Sequence, residues 1–572
     1  MTIRNLIAVS LITLLAACHS KGTAHAADDG AGQQTIEPYA TIAITPEALQ
    51  WADSVMEGLT AEEQIAQLFV PRLDITSDAD GYARIKEMLS TYGMGGLLFG
   101  KGSLDTYVKL LNHARKVAAV PPMITFDGEW GLAMRIPDSP RFPYAMALGA
   151  TRSQPLMEAY GREVARECRI LGIHVNFAPD LDVNSNPANP VIGFRSLGGD
   201  AENVGLLGAA YCIGMADGDV MPVGKHFPGH GDTSVDSHHA LPTVDHSVER
   251  LTDYDMMPFS ICIRAGMPAV MVGHLRVPAL DPSGTPASLS PVITTKWLRD
   301  SLKFNGLIFT DALAMKGARA DDTNNCVSAL LAGADILLGS GAPVADFKAV
   351  KAAVATGIIP ADTITARCRR VLAYKYSLGC QRNQQLELQA VSQQLNSPAC
   401  SKLIDSLCTA SVTLLSDRMQ MLPIKSDTST VVVIGNDAEA FVTAYREYSP
   451  QSKFFTLGKA SKITAPLRRA LLTPEVTVVV TSAQPWAVSA YKSILEVNSG
   501  ICTVFMFNAY KLTSFPVNEE GATMITYDCF PAMCRAAARA VLGYSPITGR
   551  MPVDVPSRAH IMQGITLIPP AR

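Results

Sequence analysis

From about residue 60 to residue 380, short apolar runs alternate with longer stretches of helical period. The runs are Gly96–Phe99, Met123–Phe126, His174–Phe177, Val220–Val223, Ala269–Val272, Leu307–Phe309 and Ile336–Leu338. They are near-continuously apolar rather than alternating, the mark of strands buried on both faces of a helix-covered parallel sheet. Ahead of them, Thr60-Ala61-Glu62-Glu63 reads as a capping box, predicting a helix whose apolar positions include Ile65, Leu68 and Phe69. Seven or eight such units favour a closed (β/α)8 barrel of the TIM type over an open sheet, assigned to residues 45–380. A connection rich in Asn, Gln and Ser follows at 381–400. Beyond it the pattern restarts, with Val431–Ile434 before Gly435, Val476–Val480, Thr503–Phe507 and a helical segment at Cys534–Leu542. Residues 401–572 are therefore expected to form a smaller α/β sandwich domain.

Length agrees with two domains, since 572 residues exceed what one ordinary core encloses. The near-balance of 48 basic and 52 acidic residues, with no basic stripe interleaved with aromatics, argues against a nucleic-acid partner. The N-terminus changes the picture more. Arg4 precedes the apolar run Leu6–Leu15, too short to span a bilayer as a stable helix, and Leu15-Ala16-Ala17-Cys18 ends it. This is similar to a bacterial lipoprotein signal over residues 1–18, with Cys18 as the lipidated residue and 19–44 as a flexible tether; a plain secretory peptide is the alternative. The implied location is the cell envelope, lipid-anchored and facing the periplasm or the outer surface. The eleven cysteines after Cys18 are irregularly spaced, Cys529 and Cys534 being the closest pair, so neither a zinc site nor a small disulfide scaffold is expected.

Polar residues collect where the apolar runs stop. Asp127 follows one, Lys225 and His226 another, His274 a third and Asp311 a fourth, and barrel enzymes assemble their sites at these C-terminal strand ends. The stretch 225–238, Lys-His-Phe-Pro-Gly-His-Gly-Asp-Thr-Ser-Val-Asp-Ser-His, holds six ionisable residues in fourteen. Pro228, Gly229 and Gly231 force it into an irregular loop.

That loop closely resembles the signature of family 3 glycoside hydrolases of the β-N-acetylglucosaminidase branch, in their two-domain lipoprotein form. Agreement continues through Gln67-Leu68-Phe69, Asn176-Phe177-Ala178-Pro179 with Asp182-Val183, Val191-Ile192-Gly193-Phe194-Arg195-Ser196, Gly273-His274, Thr310-Asp311-Ala312-Leu313 and Gly549-Arg550-Met551-Pro552-Val553. The resemblance implies a retaining exo-hydrolase acting by double displacement on terminal β-linked N-acetylglucosamine from peptidoglycan fragments. Asp311 matches the nucleophile. The acid/base matches His238, paired with Asp236 two residues earlier. Histidine's ordinary pKa of about 6.5 suits a group that must give and then take a proton near neutrality. Spacing alone leaves the adjacent His239 open, and the Asp-x-His match favours His238. Asp127, Arg195, Lys225 and His226 match positions that hold sugar hydroxyls. No metal or organic cofactor is implied.

One departure is Trp130, in Asp127-Gly128-Glu129-Trp130-Gly131 where many relatives have Asp-Gln-Glu-Gly-Gly. A stacking or shaping role near the sugar and a merely packed aromatic are both open for it. Three other readings compete with the hydrolase: a β-glucosidase-type member, a phosphorylase of the same family, and a non-catalytic muropeptide-binding lipoprotein. The 225–238 loop counts against the first and the full set of ionisable residues against the last.

Overall fold

The computed structural model describes residues 42–570 except 75, 238, 319–322, 383, 436–437, 460–461 and 483, together with the backbone of 27–28 and 34–35. Cys18 lies outside the described residues. Among the described residues, no helix is long and apolar enough to cross a membrane.

The predicted capping box forms. Thr60 caps the helix Ala61–Ala66 and Glu63 returns to the Thr60 backbone. The helix ends sooner than its pattern implies, and Phe69 belongs to the first strand instead, because a buried strand offers the same apolar surface with no need of a fourth turn. The barrel strands are β1 (Phe69–Val70), β2 (Arg72–Leu73), β3 (Gly96–Phe99), β4 (Met123–Phe126), β5 (Val175–Asn176), β6 (Met221–Phe227), β7 (Ala269–Val272), β8 (Leu307–Thr310) and β9 (Leu337–Leu338). From β2 to β8 they form one parallel sheet in chain order. β1 pairs with β9, and a bridge from Phe309 to Ile336 joins β9 to β8. Pro71, which has no N–H to give a ladder, separates β1 from β2. Strand one thus pairs on one side before the proline and on the other after it, and the ring closes as a (β/α)8 barrel.

Segment 381–400 is more ordered than a plain connection. It contains the helix Leu388–Leu395 and the start of α1 (Pro398–Ser411), because Val391, Leu395 and Cys400 are buried. The second domain is a six-stranded sheet of β10 (Thr413–Asp417), β11 (Thr430–Ile434), β12 (Lys453–Leu457), β13 (Thr477–Thr481), β14 (Ile501–Phe505) and β15 (Ala522–Ile525). Its order is β10-β15-β14-β13-β11-β12, parallel except for the edge strand β10.

The two domains are clasped at several points. Arg141 donates to both oxygens of Asp528 at 2.9 and 3.0 Å, with its guanidinium over the rings of Tyr144 and Phe530. Tyr510 donates its hydroxyl to the carbonyl of Asn184 at 3.1 Å, and the N–H of Gly199 donates to the carbonyl of Pro552 at 2.9 Å. The second domain therefore presses on loop 184–199, the same loop that carries Arg195.

Near this joint, Glu167 is fully enclosed on the barrel helix Gln154–Leu171, with the Cys400 thiol donating to its carboxyl at 3.6 Å. Burial first, then neighbouring Glu163, pushes the carboxyl up to about 8. In the unfolded chain it ionises near its ordinary value of about 4.3. Between those two values the unfolded state has lost a proton that the folded state keeps, so this group makes stability fall as pH rises through the window. Glu167→Gln is neutral throughout. Its stability relative to the native protein should therefore improve steadily from pH 4.5 to pH 8 in urea titrations; a pH-independent difference would show that the carboxyl is not held neutral.

Candidate active site

The site is built at the C-terminal ends of the barrel strands, from the loops that leave β4, β5, β6, β7 and β8. After β4, the Gly128 N–H donates to the Asn176 side chain at 2.8 Å, and that amide donates to the Gly128 carbonyl and the Tyr211 hydroxyl. This tie directs Asp127 and Glu129 into the barrel mouth. Asp127 is half-buried and accepts from Arg135 at 2.7 Å. Glu129 is buried and accepts from both Arg195 Nε at 2.9 Å and Arg195 Nη2 at 2.8 Å, and also contacts Lys225 Nζ at 2.8 Å. Lys225 stands 3.6 Å from Asp127.

β6 runs one residue beyond the chemistry it carries, to Phe227, and its register against β7 shifts between Gly224 and Phe227. The irregularity serves two neighbouring residues at once: Lys225 reaches the Asp127–Glu129 side, and His226 reaches Asp182. Asp182 accepts from the His226 ring at 2.7 Å, from the His226 N–H at 3.2 Å and from the His230 N–H at 2.6 Å. The loop then turns as its glycines require. Gly229 adopts φ 133, and a Cβ at Gly231 would stand 1.8 Å from the carbonyl oxygen of Val183. His230 is pinned between Thr233 and Ser237 at 2.7 and 3.1 Å.

Asp311 leaves β8 half-buried, its carboxylate accepting from the Ala312 N–H at 2.7 Å. Burial pushes this carboxyl up, but His274, His226, the Ala312 N–H and Lys225 together outweigh it and hold it below the usual carboxylate range. His274, at the end of β7, bonds Ser288 at 2.6 Å and the Ala312 carbonyl at 3.0 Å. Loop 228–240 reaches this side as well, because the Gly317 N–H donates to the Ser237 carbonyl at 3.1 Å. Asp236 is half-buried at the start of that turn, with its carbonyl accepting from the His239 N–H at 2.9 Å and the Ala240 N–H at 3.1 Å. His238 lies outside the described residues.

The surrounding charges are sorted by burial and pairing. Burial would raise Glu129, yet Arg195 and Lys225 bring it well below the carboxylate range. Burial would likewise raise Asp182, yet His226 and His230 hold it at about 2. Burial, aided by Asp182, instead raises Asp180 well above the usual carboxylate range. Asp180 Oδ2 has no hydrogen-bond partner among the described residues, stands 3.7 Å from Arg195, and borders a cavity of 20 Å³ shared with Glu129 and Arg195. That space matches a single water. Burial lowers His230 to about 4 despite the neighbouring Asp182.

Asp180, Asp182 and His226 hold their ligand-type atoms within 4.8 Å of one another. Hydrogen bonds within the chain already occupy Asp182 and His226, so Asp182 fixes the position of His226 and of the loop at His230.

Five residues expected from sequence thus meet in one mouth: Asp127, Arg195, Lys225, His226 and Asp311. Sequence reasoning gave no role to Glu129, Asp182 or Arg135. Glu129 stood two residues after a predicted site residue, and Asp182 stood inside a quoted motif; that proximity was the only available signal. Trp130 packs edge-on against Tyr144 at 5.0 Å between ring centroids and lies tilted against Phe194 at 6.2 Å. It belongs to an aromatic cluster that backs the Glu129–Arg195 pair.

At these strand ends the ionised Asp311 carboxylate lies near His274, His226 and Lys225, with Asp127 and Arg195 beside Lys225 and Glu129. Such an arrangement suits attack on one carbon of a polyhydroxylated ring. Comparison with known proteins agrees. Residues 60–374 match the glycosyl hydrolase family 3 N terminal domain. The chain is 32% identical over 409 residues to beta-hexosaminidase A of Pseudoalteromonas piscicida, covering 64% of this chain and 67% of that one. It is 26% identical over 554 residues to a beta-N-acetylglucosaminidase/beta-glucosidase of Cellulomonas fimi, covering 90% and 97%. Its structure resembles that of a family 3 beta-N-acetylglucosaminidase from Paenibacillus sp. FPU-7, with TM-score 0.74 and 28% identity over 87% of this chain and 99% of the other.

Proposed function

Because the chain belongs to glycosyl hydrolase family 3, we propose that it is a retaining exo-β-N-acetylglucosaminidase that releases terminal N-acetylglucosamine, with peptidoglycan fragments as its natural substrates. The observation that carries this reading is Asp311: a carboxylate at a strand end, kept ionised by His274, His226 and Lys225. It attacks the anomeric carbon and forms a glycosyl-enzyme, which water then resolves. His238, paired with Asp236, donates a proton to the leaving oxygen and later takes one from that water. Asp127, Arg195, Lys225 and His226 bind the hydroxyls. A site whose buried polar groups are spoken for by those hydroxyls penalises the wrong sugar.

The test is hydrolysis of an aryl N-acetyl-β-glucosaminide followed by NMR, with the β-anomer of the free sugar expected first. Appearance of the α-anomer first would exclude double displacement. His238→Ala should lose about 10²–10⁴-fold on substrates with poor leaving groups and far less on activated aryl glycosides, since only the former need protonation. Equal losses on both would remove the proton-donor role.

Phosphorolysis is the second reading. A histidine acid/base does not repel an incoming phosphate as a carboxylate would. Turnover in phosphate buffer that yields sugar 1-phosphate would favour it over hydrolysis.

The leader that ends at Cys18 supports an envelope protein held to the membrane by lipid. Incorporation of labelled palmitate by the native chain and not by Cys18→Ala is the expected outcome.

A further inference from the structure

The second domain carries a cleft that no residue of the proposed reaction enters. It lies between the helices Ala465–Leu471 and Pro485–Val497, beside the C-terminal end of β12, and encloses 670 Å³. The residues by which this domain holds the barrel, Tyr510, Asp528 and Pro552, lie outside it. A space of that size takes a ligand of several rings rather than a lone ion.

The helix Pro485–Val497 has two faces. Ala487, Tyr491 and Ile494 are buried in the domain core. Trp486, Ser489 and Glu496, three and then seven residues apart, make a second stripe along the cleft, about 15 Å from end to end. The Trp486 indole is half-buried and pairs with no other ring among the described residues. The other wall supplies Lys459 and Lys462 from the loop that leaves β12, and Arg468 from the helix Ala465–Leu471. All three cations are exposed. Among the described residues none of them has an ion-pair partner, whereas Lys453 on β12 is paired with Glu475 at 3.0 Å. Glu496 is the one carboxylate in the lining. A cationic cleft thus stands on a chain whose net charge is −4, and an anion bound there relieves the repulsion among like charges.

We propose that this cleft is a second saccharide-binding site, apart from the catalytic mouth, and that it holds an acidic glycan. The indole takes the C–H face of a pyranose ring, which needs a flat apolar surface, and the Ser489 hydroxyl bonds a ring hydroxyl at its side. Lys459, Lys462 and Arg468 take carboxylates carried on the same chain, Arg468 being able to engage one with two parallel N–H groups. Glu496, at the far end of the stripe from Trp486, repels a carboxylate and so sets which end of the glycan lies there. The choice of a glycan over another anionic ligand with flat rings rests on the reading that peptidoglycan fragments are the substrates, because their strands carry carboxylates along a saccharide backbone.

The experiment measures binding to the full-length protein by calorimetry, with free N-acetylglucosamine in excess to occupy the catalytic mouth. The probes are soluble peptidoglycan strands released by a muramidase, chitohexaose as an uncharged chain of similar rings, and a single-stranded oligonucleotide. The native protein should bind the strands about tenfold more tightly than chitohexaose at low salt, with the gap closing as salt rises. Trp486→Ala should weaken both saccharides by about tenfold. A triple variant, Lys459→Ala, Lys462→Ala and Arg468→Ala, should bring the strands down to the level of chitohexaose and leave chitohexaose unchanged. Both variants should hydrolyse an aryl N-acetyl-β-glucosaminide at the native rate, which also reports that they are folded. Equal binding of strands and chitohexaose by the native protein, or native affinity in either variant, overturns the proposal. So does binding of the oligonucleotide as tight as that of the strands. A native chain that binds the strands through these residues yet leaves the aryl glucosaminide intact supports the cleft and refutes the hydrolase reading, so the two failures are told apart.

Discussion

Asp311→Asn should lower kcat on an aryl N-acetyl-β-glucosaminide by about 10⁴-fold or more while KM changes little. The amide keeps the shape of the carboxylate and its position at the end of β8, so sugar binding survives. It lacks the charge and lone-pair basicity needed to form the glycosyl-enzyme, so the first displacement fails. The loss of the carboxylate charge also removes the electrostatic stabilisation of an oxocarbenium-like transition state. Azide supplied to an Asp311→Gly variant should restore turnover by attacking from the vacated side, giving the glycosyl azide of α configuration. Activity of Asp311→Asn within tenfold of the native enzyme would take the nucleophile role from this residue.

Glu129→Gln should destabilise the barrel by about 3–5 kcal/mol, because removing one partner from a buried ion cluster leaves uncompensated charge. Arg195 and Lys225 both depend on this carboxylate, and among the described residues Lys225 then keeps the longer 3.6 Å approach to Asp127. The carboxyl is held below its ordinary value in the folded state. Its contribution is therefore present above the unfolded value of about 4.3 and is lost as pH falls through the folded one. The gap between native and variant, measured by urea titration, should be large at pH 7 and close at strongly acidic pH. Because Arg195 and Lys225 also bind sugar in the proposed reaction, KM should rise in the same variant. A stability loss under about 0.5 kcal/mol at pH 7 would show that other groups neutralise the two cations.

Much of the scaffold was legible because it follows from local pattern. Continuous apolar runs at Gly96–Phe99, Met123–Phe126 and Ala269–Val272 became strands at those same residues. The run beginning at Val220 became a strand that extends to Phe227, past the point where apolar residues stop. Nothing in the pattern marks that extension, because Lys225 and His226 are held there by carboxylates from other loops. Pro71 was equally silent: its effect, pairing β1 with β9 and β2 with β3, exists only once the ring has closed.

The chemistry divides along the same line. From the chain alone came the barrel and its partner domain, the strand-end positions of Asp127, Lys225, His226, His274 and Asp311, and the loop that joins them, because strand burial and glycine or proline geometry act over a few residues. The three-dimensional arrangement alone decided that Glu129 bridges Arg195 and Lys225, that Asp182 orders His226 and His230, that burial raises Asp180, and that the second domain grips the loop bearing Arg195. Those outcomes depend on which charges meet after they leave water. Desolvation and Coulomb attraction act between groups tens to hundreds of residues apart, and no local pattern in the chain encodes that distance.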